Sequence, residues 1–241
     1  MLTMVKLAIL DTDILYDPLQ EKFDSYGKMF KDLLRSVGVA DAGWELAVYP
    51  VINGKYPDSP SDHDAYLITG SKYDSFSDED WIVRLRDYVR ELYQSGKPMV
   101  GVCFGHQLLA HSLGGHTDRS DAGWGLGVMA YQVHQQAWFT PVPETVSLIA
   151  SHQDQVKKLP PEAQLLLSND FCPFAAFHIP EKVLAIQGHP EFTAEYTGAL
   201  LDYRADKLPA DALGKARDSL ADPHNGRLVG QWIREFVERA V

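Results

Sequence analysis

The sequence predicts an α/β protein with an open, mostly parallel central sheet, helices against that sheet, and a smaller antiparallel β portion. Two observations lead to this fold class. In the first half of the chain, short apolar segments alternate with amphipathic helical segments, as in parallel strands joined by crossover helices. After about residue 115 the strands become closely spaced, with Pro- and Gly-containing turns between them, which is more typical of antiparallel pairs.

Four strands and three helices are predicted in the first half. The strands are short and mostly apolar, as expected of a sheet that is buried on both faces. They are placed at residues 5–10, 44–51, 65–69 and 98–102. The helices are placed at residues 23–37, 78–94 and 104–113, and each stops near a glycine: Gly38, Gly96 and Gly114.

The second half is predicted to hold five strands and two helices. The strands are placed at residues 124–133, 145–150, 163–168, 174–177 and 183–186, and the helices at 192–207 and 227–240. Residues 208–223 are interpreted as an exposed connection. Because no Ser/Gly-rich linker and no internal repeat interrupts the chain, one domain is predicted over residues 1–241, with a core at 4–207 and a C-terminal helical extension at 208–241.

Composition excludes several classes of function. The 241 residues include 22 Lys and Arg against 33 Asp and Glu, so the net charge is −11 and binding to nucleic acid or to an anionic membrane is disfavoured. No apolar run approaches the roughly 20 residues that span a bilayer. The first residues resemble a strand and not a signal peptide, and two cysteines cannot form a disulfide framework. We therefore expect a cytoplasmic protein.

A candidate nucleophile lies in Gly101-Val102-Cys103-Phe104-Gly105. This pentapeptide fits the nucleophile elbow, a sharp strand-to-helix turn that needs small flanking residues, and an apolar strand and a helix flank it as required. A sulfur at a helix N-terminus is stabilised as thiolate, and the amide of Phe104 can donate to an oxyanion. A structural cysteine in a buried strand stays an alternative. Cys172 has no such context and is interpreted as structural.

A thiol nucleophile needs a histidine, and the histidine needs a group that orients it. His189 in Gly188-His189-Pro190-Glu191 is the leading candidate. Proline keeps the preceding residue extended, and in an extended chain residues two apart point to the same side, so Glu191 can bind one imidazole nitrogen. Both His189 and Cys103 follow strands, and sites of open α/β sheets collect at the carboxyl ends of strands. His152, which ends a predicted strand, is the main competitor.

The other histidines give no pattern of chemistry. His106 and His111 are five positions apart, which does not place them on one helical face, so a zinc pair is not expected. Four more are interpreted as surface or loop residues: His63, His134, His178 and His224.

Together these motifs resemble the class I (triad) glutamine amidotransferases, on residues 101–107 and 188–191. Residues 68–71, 151–156 and 186–191 are more similar to stand-alone members, which include chains similar to the amidotransferase domain of GMP synthase and the γ-glutamyl peptidases. The resemblance extends from the first strand to the helix after Glu191 and implies a flavodoxin-like topology.

The resemblance also implies a reaction. Cys103 would attack the side-chain amide of glutamine, and His189, oriented by Glu191, would move the proton while ammonia leaves and a γ-glutamyl thioester forms. Water would then release glutamate. The oxyanion would be held by the amides of Phe104 and Gly70. The residues implied in substrate binding are Ser71, Gln107, Ser151, Gln153 and Asp154.

One departure affects the oxyanion loop. The family commonly shows two glycines followed by proline, whereas this chain has Thr69-Gly70-Ser71. Gly70 could therefore be a plain turn. Two further alternatives do not depend on this loop: Gln107 could be a solvated helical residue, and the segment 151–154 could be an ordinary strand-to-turn cap.

Three functions stay open at this stage. The first is a glutamine-hydrolysing amidotransferase that passes ammonia to a separate synthase subunit, since the sequence has no G-x-x-x-x-G-K loop for ATP. The second is a free-standing γ-glutamyl hydrolase or peptidase, and the third a catalytically idle regulatory homologue, against which the intact triad argues. The implied chemistry requires neither a metal nor an organic cofactor.

Overall fold

A large mixed sheet runs through the protein, and the computed structural model describes it within residues 4–134 and 141–241. The strands in these ranges are β1 (Lys6–Asp11), β2 (Glu45–Pro50), β3 (Ala65–Ile68), β4 (Met99–Val102), β5 (His116–Arg119), β6 (Gly125–Val133), β7 (Thr145–His152), β8 (Asp154–Lys158), β9 (Gln164–Ser168), β10 (Ala176–Ile179) and β11 (Val183–Ile186). The helices are α1 (Asp17–Phe23), α2 (Tyr26–Ser36), α3 (Asp80–Gln94), α4 (Phe104–Ser112), α5 (Ala194–Tyr203), α6 (Ala210–Ser219) and α7 (Gly226–Ala240).

The strand order in the large sheet is β2-β1-β3-β4-β11-β10-β9-β6-β7. From β2 to β11 neighbouring strands are parallel, and from β11 to β7 they are antiparallel. In the part of the chain that the structure describes, four strand pairs of this sheet are therefore parallel and four antiparallel. A separate antiparallel pair joins β5 to β8. The predicted α/β fold class, with a flavodoxin-like order of the parallel strands, is confirmed.

Helices cover both faces of the sheet, which explains why the parallel strands are mostly apolar. Along β1, side chains alternate between the two faces. Leu7 and Ile9 pack in one core cluster, beneath α2 and α7, whereas Ala8 and Leu10 pack in the other, beneath α3 and α4. All four side chains are fully buried.

The prediction of an exposed connection at residues 208–223 is wrong. Most of that segment forms α6, in which Leu213 and Ala216 are buried beside Leu201 of α5. The Ser219 hydroxyl accepts a hydrogen bond from the Val128 amide at 2.9 Å, so α6 is bound to β6. Only a few apolar residues of this mostly polar segment make these contacts. The helical spacing of apolar residues is therefore weak in the sequence.

Other elements differ from the prediction in detail. The predicted helix at residues 23–37 corresponds to α2, which begins at Tyr26 because the chain turns at Asp24, where φ is 67°. Helix α1, which ends before this turn, was not predicted. The small sheet of β5 and β8 was not predicted. The single-domain boundaries stay a prediction. Within residues 4–134 and 141–241, none of the helices has the length and apolar character that crossing a membrane requires.

Candidate active site

Cys103 lies at the sharp junction between β4 and α4, at the carboxyl edge of the parallel strands. Its backbone has φ 53° and ψ −102°, a conformation that side-chain-bearing residues rarely adopt and that costs on the order of 1–3 kcal/mol. The Cys103 amide donates to the Ile186 carbonyl of β11 at 2.9 Å, which holds the turn against the neighbouring strand. The surrounding sheet therefore maintains a strained strand-to-helix turn, the geometry expected of the predicted nucleophile elbow.

The glycines on either side of Cys103 allow this turn to pack closely. A Cβ on Gly101 would lie 2.5 Å from the Gly105 carbonyl oxygen, and a Cβ on Gly105 would collide with the carbonyl oxygen of Ile68 in β3. These contacts involve backbone atoms, which cannot move aside as a flexible side chain could. The small residues of the motif are thus required by the close approach of β3, β4 and α4.

His189 and Glu191 form a buried pair just beyond β11. The His189 Nδ1 lies 2.7 Å from Glu191 Oε1, and the two side chains are 3% and 0% exposed. The His189 amide donates to the Ile149 carbonyl at 2.8 Å, and the Phe192 ring stacks on the imidazole with centroids 3.7 Å apart. The imidazole is consequently fixed by its backbone, by a carboxylate and by an aromatic ring.

The charges around His189 determine its protonation. Burial disfavours the imidazolium, but the charges of Glu191 and Cys103, together with the hydrogen bond to Glu191, outweigh burial and raise the pKa of His189 to about 10. The predicted nucleophile and the carboxylate thus both favour the protonated form of His189. The arrangement favours an imidazolium between two acidic groups.

The segment after β3 completes the surroundings of the thiol. A Cβ on Gly70 would lie 2.8 Å from His189 Cε1 and 3.7 Å from Cys103 Cβ, so only glycine lets this backbone reach both side chains. The Thr12 hydroxyl donates to the Gly70 carbonyl at 2.8 Å, which orients that peptide. Phe104 is the first residue of α4, and the first amides of a helix have no intrahelical acceptor.

The five predicted substrate-binding residues line one cavity of about 270 Å³ with Cys103. We call it the polar cavity. Its lining comprises Ser71, Lys72, Tyr73, Asp74, Cys103, Gln107, Arg119, Trp124, Ser151, His152, Gln153, Asp154 and Arg204. The sequence motifs at residues 70–71, 103–107 and 151–154 are thus brought together in space.

Gln107 and Asp154 are tied together inside the polar cavity. Gln107 is only 3% exposed, which excludes the solvated alternative, and its Nε2 donates to the Asp154 carbonyl at 2.8 Å and to Gln187 Oε1 at 3.2 Å. Burial raises the pKa of Asp154 to about 6, and the nearby Asp74 adds to this rise, while Arg119 opposes it from 3.2 Å.

Two of the other three predicted contacts, Ser71 and Ser151, bring hydroxyl groups to the cavity lining. Ser71 Oγ donates to the Thr12 carbonyl at 2.8 Å, so this side chain also holds the loop in place. Ser151, near the end of β7, lies 3.5 Å from the Arg204 guanidinium.

A second, smaller cavity meets the polar cavity at Cys103. This aromatic cavity has a volume of about 30 Å³, enough for one small molecule such as water or ammonia. Its lining comprises Asp13, Ile14, Leu15, Tyr16, Tyr26, Ser71, Lys72, Cys103, Ser151, His189, Phe192, Tyr196, Leu200 and Arg204. His189 therefore faces this cavity.

Several lining residues were not predicted from the sequence. Lys72 forms an ion pair with Asp13 at 2.9 Å, and Arg119 pairs with Asp74 and Asp154. Asp13 comes directly after the first strand, and that position was a usable signal. Arg204 ends a helix far along the chain, and no sequence signal placed it here.

Burial disfavours the charged forms of the competing histidine and cysteine. His152 lies in the polar cavity, its Nδ1 is 3.1 Å from a backbone carbonyl, and burial lowers its pKa to about 4. Burial raises the pKa of Cys172 to about 12, which disfavours a thiolate. Among the described residues, no group of three or more His, Cys, Asp or Glu side chains could hold a metal ion.

The surface or loop interpretation is wrong for His178, which lies in β10 and is buried. His63 lies in a loop as predicted, but it is buried, and its Nε2 is hydrogen bonded to the Tyr49 hydroxyl of β2 at 2.9 Å. The burial of both side chains depends on neighbouring strands, which the pattern around a single position does not reveal.

Comparison with known proteins agrees with this geometry. The family model for glutamine amidotransferase class-I matches residues 23–202. Gamma-glutamyl peptidase 3 of Arabidopsis thaliana is 33% identical over 187 residues, which cover 74% of each chain. The glutamine-hydrolyzing GMP synthase chain of Archaeoglobus fulgidus is 36% identical over 105 residues, 43% of this chain and 56% of the other.

A solved structure gives the same result for the fold. The crystal structure of a glutamine amidotransferase from Thermotoga maritima superposes with a TM-score of 0.77 at 17% identity and covers 98% of this chain and 97% of the other. With three quarters of the sequence matched by the family model, the chain belongs to the class I glutamine amidotransferase family.

Proposed function

We propose that the protein hydrolyses the γ-amide of glutamine, with Cys103 as nucleophile, His189 as general acid and base, and Glu191 as the group that orients His189. One observation carries this proposal. The strained Cys103 elbow lies beside a buried His189–Glu191 pair: Cys103 and His189 line the same small cavity, and a Cβ on Gly70 would approach both side chains. A merely structural cysteine has no need of either feature.

In the first half-reaction, the Cys103 thiolate attacks the amide carbon and forms a C–S bond. The negative charge that develops on the amide oxygen is stabilised by the amides of Phe104 and Gly70. His189 then donates its proton to the leaving nitrogen, the C–N bond breaks, and ammonia is released. The products of this step are a γ-glutamyl thioester and a neutral imidazole.

In the second half-reaction, water takes the place of ammonia beside His189. The neutral imidazole accepts a proton from this water while the water oxygen attacks the thioester carbon. The C–S bond breaks, glutamate leaves, and the thiolate–imidazolium pair is restored. The aromatic cavity is large enough for one such water and is lined by His189, which supports this route.

The polar cavity would hold the amino-acid end of the substrate. Gln107, Gln153 and Asp154 offer amide and carboxylate groups for the α-ammonium and the backbone-like atoms of glutamine, and Ser71 and Ser151 offer hydroxyls near Cys103. The network that links Gln107 to Asp154 fixes these groups before the substrate arrives.

A second candidate is hydrolysis of γ-glutamyl peptides or conjugates by the same triad. The similarity to gamma-glutamyl peptidase 3 favours it, because it covers 74% of both chains. The similarity to the GMP synthase chain, in turn, supports a separate synthase subunit that receives ammonia. The chemistry at Cys103 is the same in both cases, and the leaving group differs.

The test is a substrate comparison with purified protein. Glutamine, γ-glutamyl dipeptides and glutathione conjugates are assayed for release of glutamate by wild type, Cys103→Ala and, as a matched control, Cys172→Ala. We expect Cys103→Ala to abolish hydrolysis without unfolding the protein and Cys172→Ala to retain it. Hydrolysis by folded Cys103→Ala would refute the proposed mechanism, and high turnover only on peptides would select the second candidate.

A further inference from the structure

Three cations line the polar cavity, and one of them stands out because of its surroundings. Lys72 is 2.9 Å from Asp13, and Arg119 is 3.2 Å from both Asp74 and Asp154, so protein carboxylates balance these two charges. Among the residues that the structure describes, no carboxylate forms an ion pair with Arg204. Its neighbour Asp202 pairs instead with Arg217 at 2.6 Å.

Arg204 is held in place without a counter-charge. Its guanidinium lies over the Trp124 ring at 4.8 Å from the centroid, and Nη1 is 3.5 Å from Ser151 Oγ. Its backbone caps α5, the helix that follows the His189–Glu191 turn, through a hydrogen bond from its amide to the Leu200 carbonyl. A half-buried guanidinium that is stacked and oriented in this way is prepared to bind a planar anion.

The position of the guanidinium indicates which anion it binds. Trp124 lines the polar cavity, and Ser151 and Arg204 line both this cavity and the aromatic cavity, as Cys103 does. A γ-glutamyl group whose carbonyl carbon is at Cys103 extends its amino-acid end into this cavity. That end carries an α-ammonium, for which Asp154 and Asp74 leave one negative charge because they share the single cation Arg119. It also carries an α-carboxylate, for which Arg204 is the cation that no described carboxylate balances.

We infer that Arg204 is a specificity-determining residue that binds the α-carboxylate of the γ-glutamyl group, so that the enzyme selects γ-glutamyl substrates with a free α-carboxylate. This inference rests on the proposed function. It adds a recognition element that lies outside the sequence motifs, and it assigns Trp124 the role of positioning the guanidinium. A charge-assisted bidentate contact accounts for a large share of binding selectivity at such a site.

The test compares glutamine with 4-aminobutanamide, which is glutamine without its α-carboxylate, in wild type, Arg204→Met and Arg204→Lys. For Arg204→Met we expect KM for glutamine to rise about 10- to 100-fold with a smaller change in kcat, and no loss on 4-aminobutanamide. Arg204→Lys retains the charge and should restore part of the affinity. Arg217→Met, an exposed arginine of α6, is the matched control and should behave as wild type.

A second pair of substrates separates the two possible carboxylates. The guanidinium could instead bind the carboxylate of the glycine leaving group. Arg204→Met would then impair hydrolysis of γ-glutamyl-glycine but not of glutamine or γ-glutamyl-methylamide, and the inference would be overturned. Equal loss on glutamine and 4-aminobutanamide, or no loss on either, would overturn it too. Each of these outcomes overturns the role of Arg204 while the wild type still hydrolyses glutamine, so the proposed function stands. A wild-type protein that hydrolyses no γ-glutamyl amide would instead refute the proposed function together with this inference.

Discussion

Replacing Glu191 by Gln removes one negative charge from the buried pair with little change in volume. The His189 Nδ1 is 2.7 Å from Glu191 Oε1, and both side chains are almost fully buried, so water cannot replace the lost charge. Burial lowers the pKa of His189, and Glu191 is the largest of the influences that raise it to about 10. The substitution therefore leaves burial opposed mainly by Cys103.

The rise in the His189 pKa sets the size of the expected effect. From 6.5 to about 10, it corresponds to roughly 4–5 kcal/mol in favour of the imidazolium. Since Glu191 contributes the largest part of this rise, we expect Glu191→Gln to lower kcat by about 10²- to 10⁴-fold, as loss of the orienting carboxylate does in comparable triads, with a small change in KM.

The pH dependence has a defined sign. The imidazolium is present below the His189 pKa and is lost as pH rises through about 10. In Glu191→Gln that loss occurs at lower pH, so the alkaline limb of the kcat/KM profile moves down the pH scale. The assay is glutamate release across the pH range. Glu195→Gln, in the exposed ion pair with Lys22, is the control. An unchanged kcat, or a rise in KM alone, would refute the reasoning.

Two further predictions concern stability. A Cβ on Gly105 would collide with the Ile68 carbonyl, so Gly105→Ala should lower Tm. In the control Gly214→Ala the added Cβ meets nothing within 4 Å, so this substitution should stabilise helix α6 by about 0.5–1 kcal/mol. Equal Tm values of the two variants in a thermal melt would contradict this prediction. Burial raises the Asp11 pKa from 3.8 to about 6, so the folded state holds this proton more tightly than the unfolded chain does. The free energy of unfolding therefore falls as pH rises from 3.8 to about 6. In urea titrations Asp11→Asn should make the free energy of unfolding depend less on pH in this range, and an unchanged pH dependence would contradict the assignment.

The parts of the fold that the sequence predicts are those with strong local signals. The strands 5–10 and 98–102 are apolar except for Lys6, because helices cover both faces of the sheet at β1 and β4. Helix α6 was missed because two buried side chains, Leu213 and Ala216, carry its packing. The pair of β5 and β8 was missed because its residues are largely polar and its register depends on contacts distant in sequence.

In the candidate site, too, the residues that could be predicted are those with strong local sequence signals. Cys103, His189 and Glu191 lie in short motifs whose spacing already implies their geometry, and the structure places them in one buried cluster. Trp124 and Arg204 come from elements with no motif, and only the packing of α5 beside β6 and β7 brings them to the cavity. Residues that act through tertiary position alone could not be found from one sequence.

The most direct test of the central claim is to identify the residue that a glutamine-analogue diazo-ketone alkylates. After reaction, peptides are mapped by mass spectrometry, and glutamine is added in parallel to test protection. We expect the label on Cys103, none on Cys172, protection by glutamine, and loss of activity in proportion to labelling. Labelling of Cys172 with Cys103 unmodified, or full activity with Cys103 fully labelled, would contradict the assignment of Cys103 as the nucleophile.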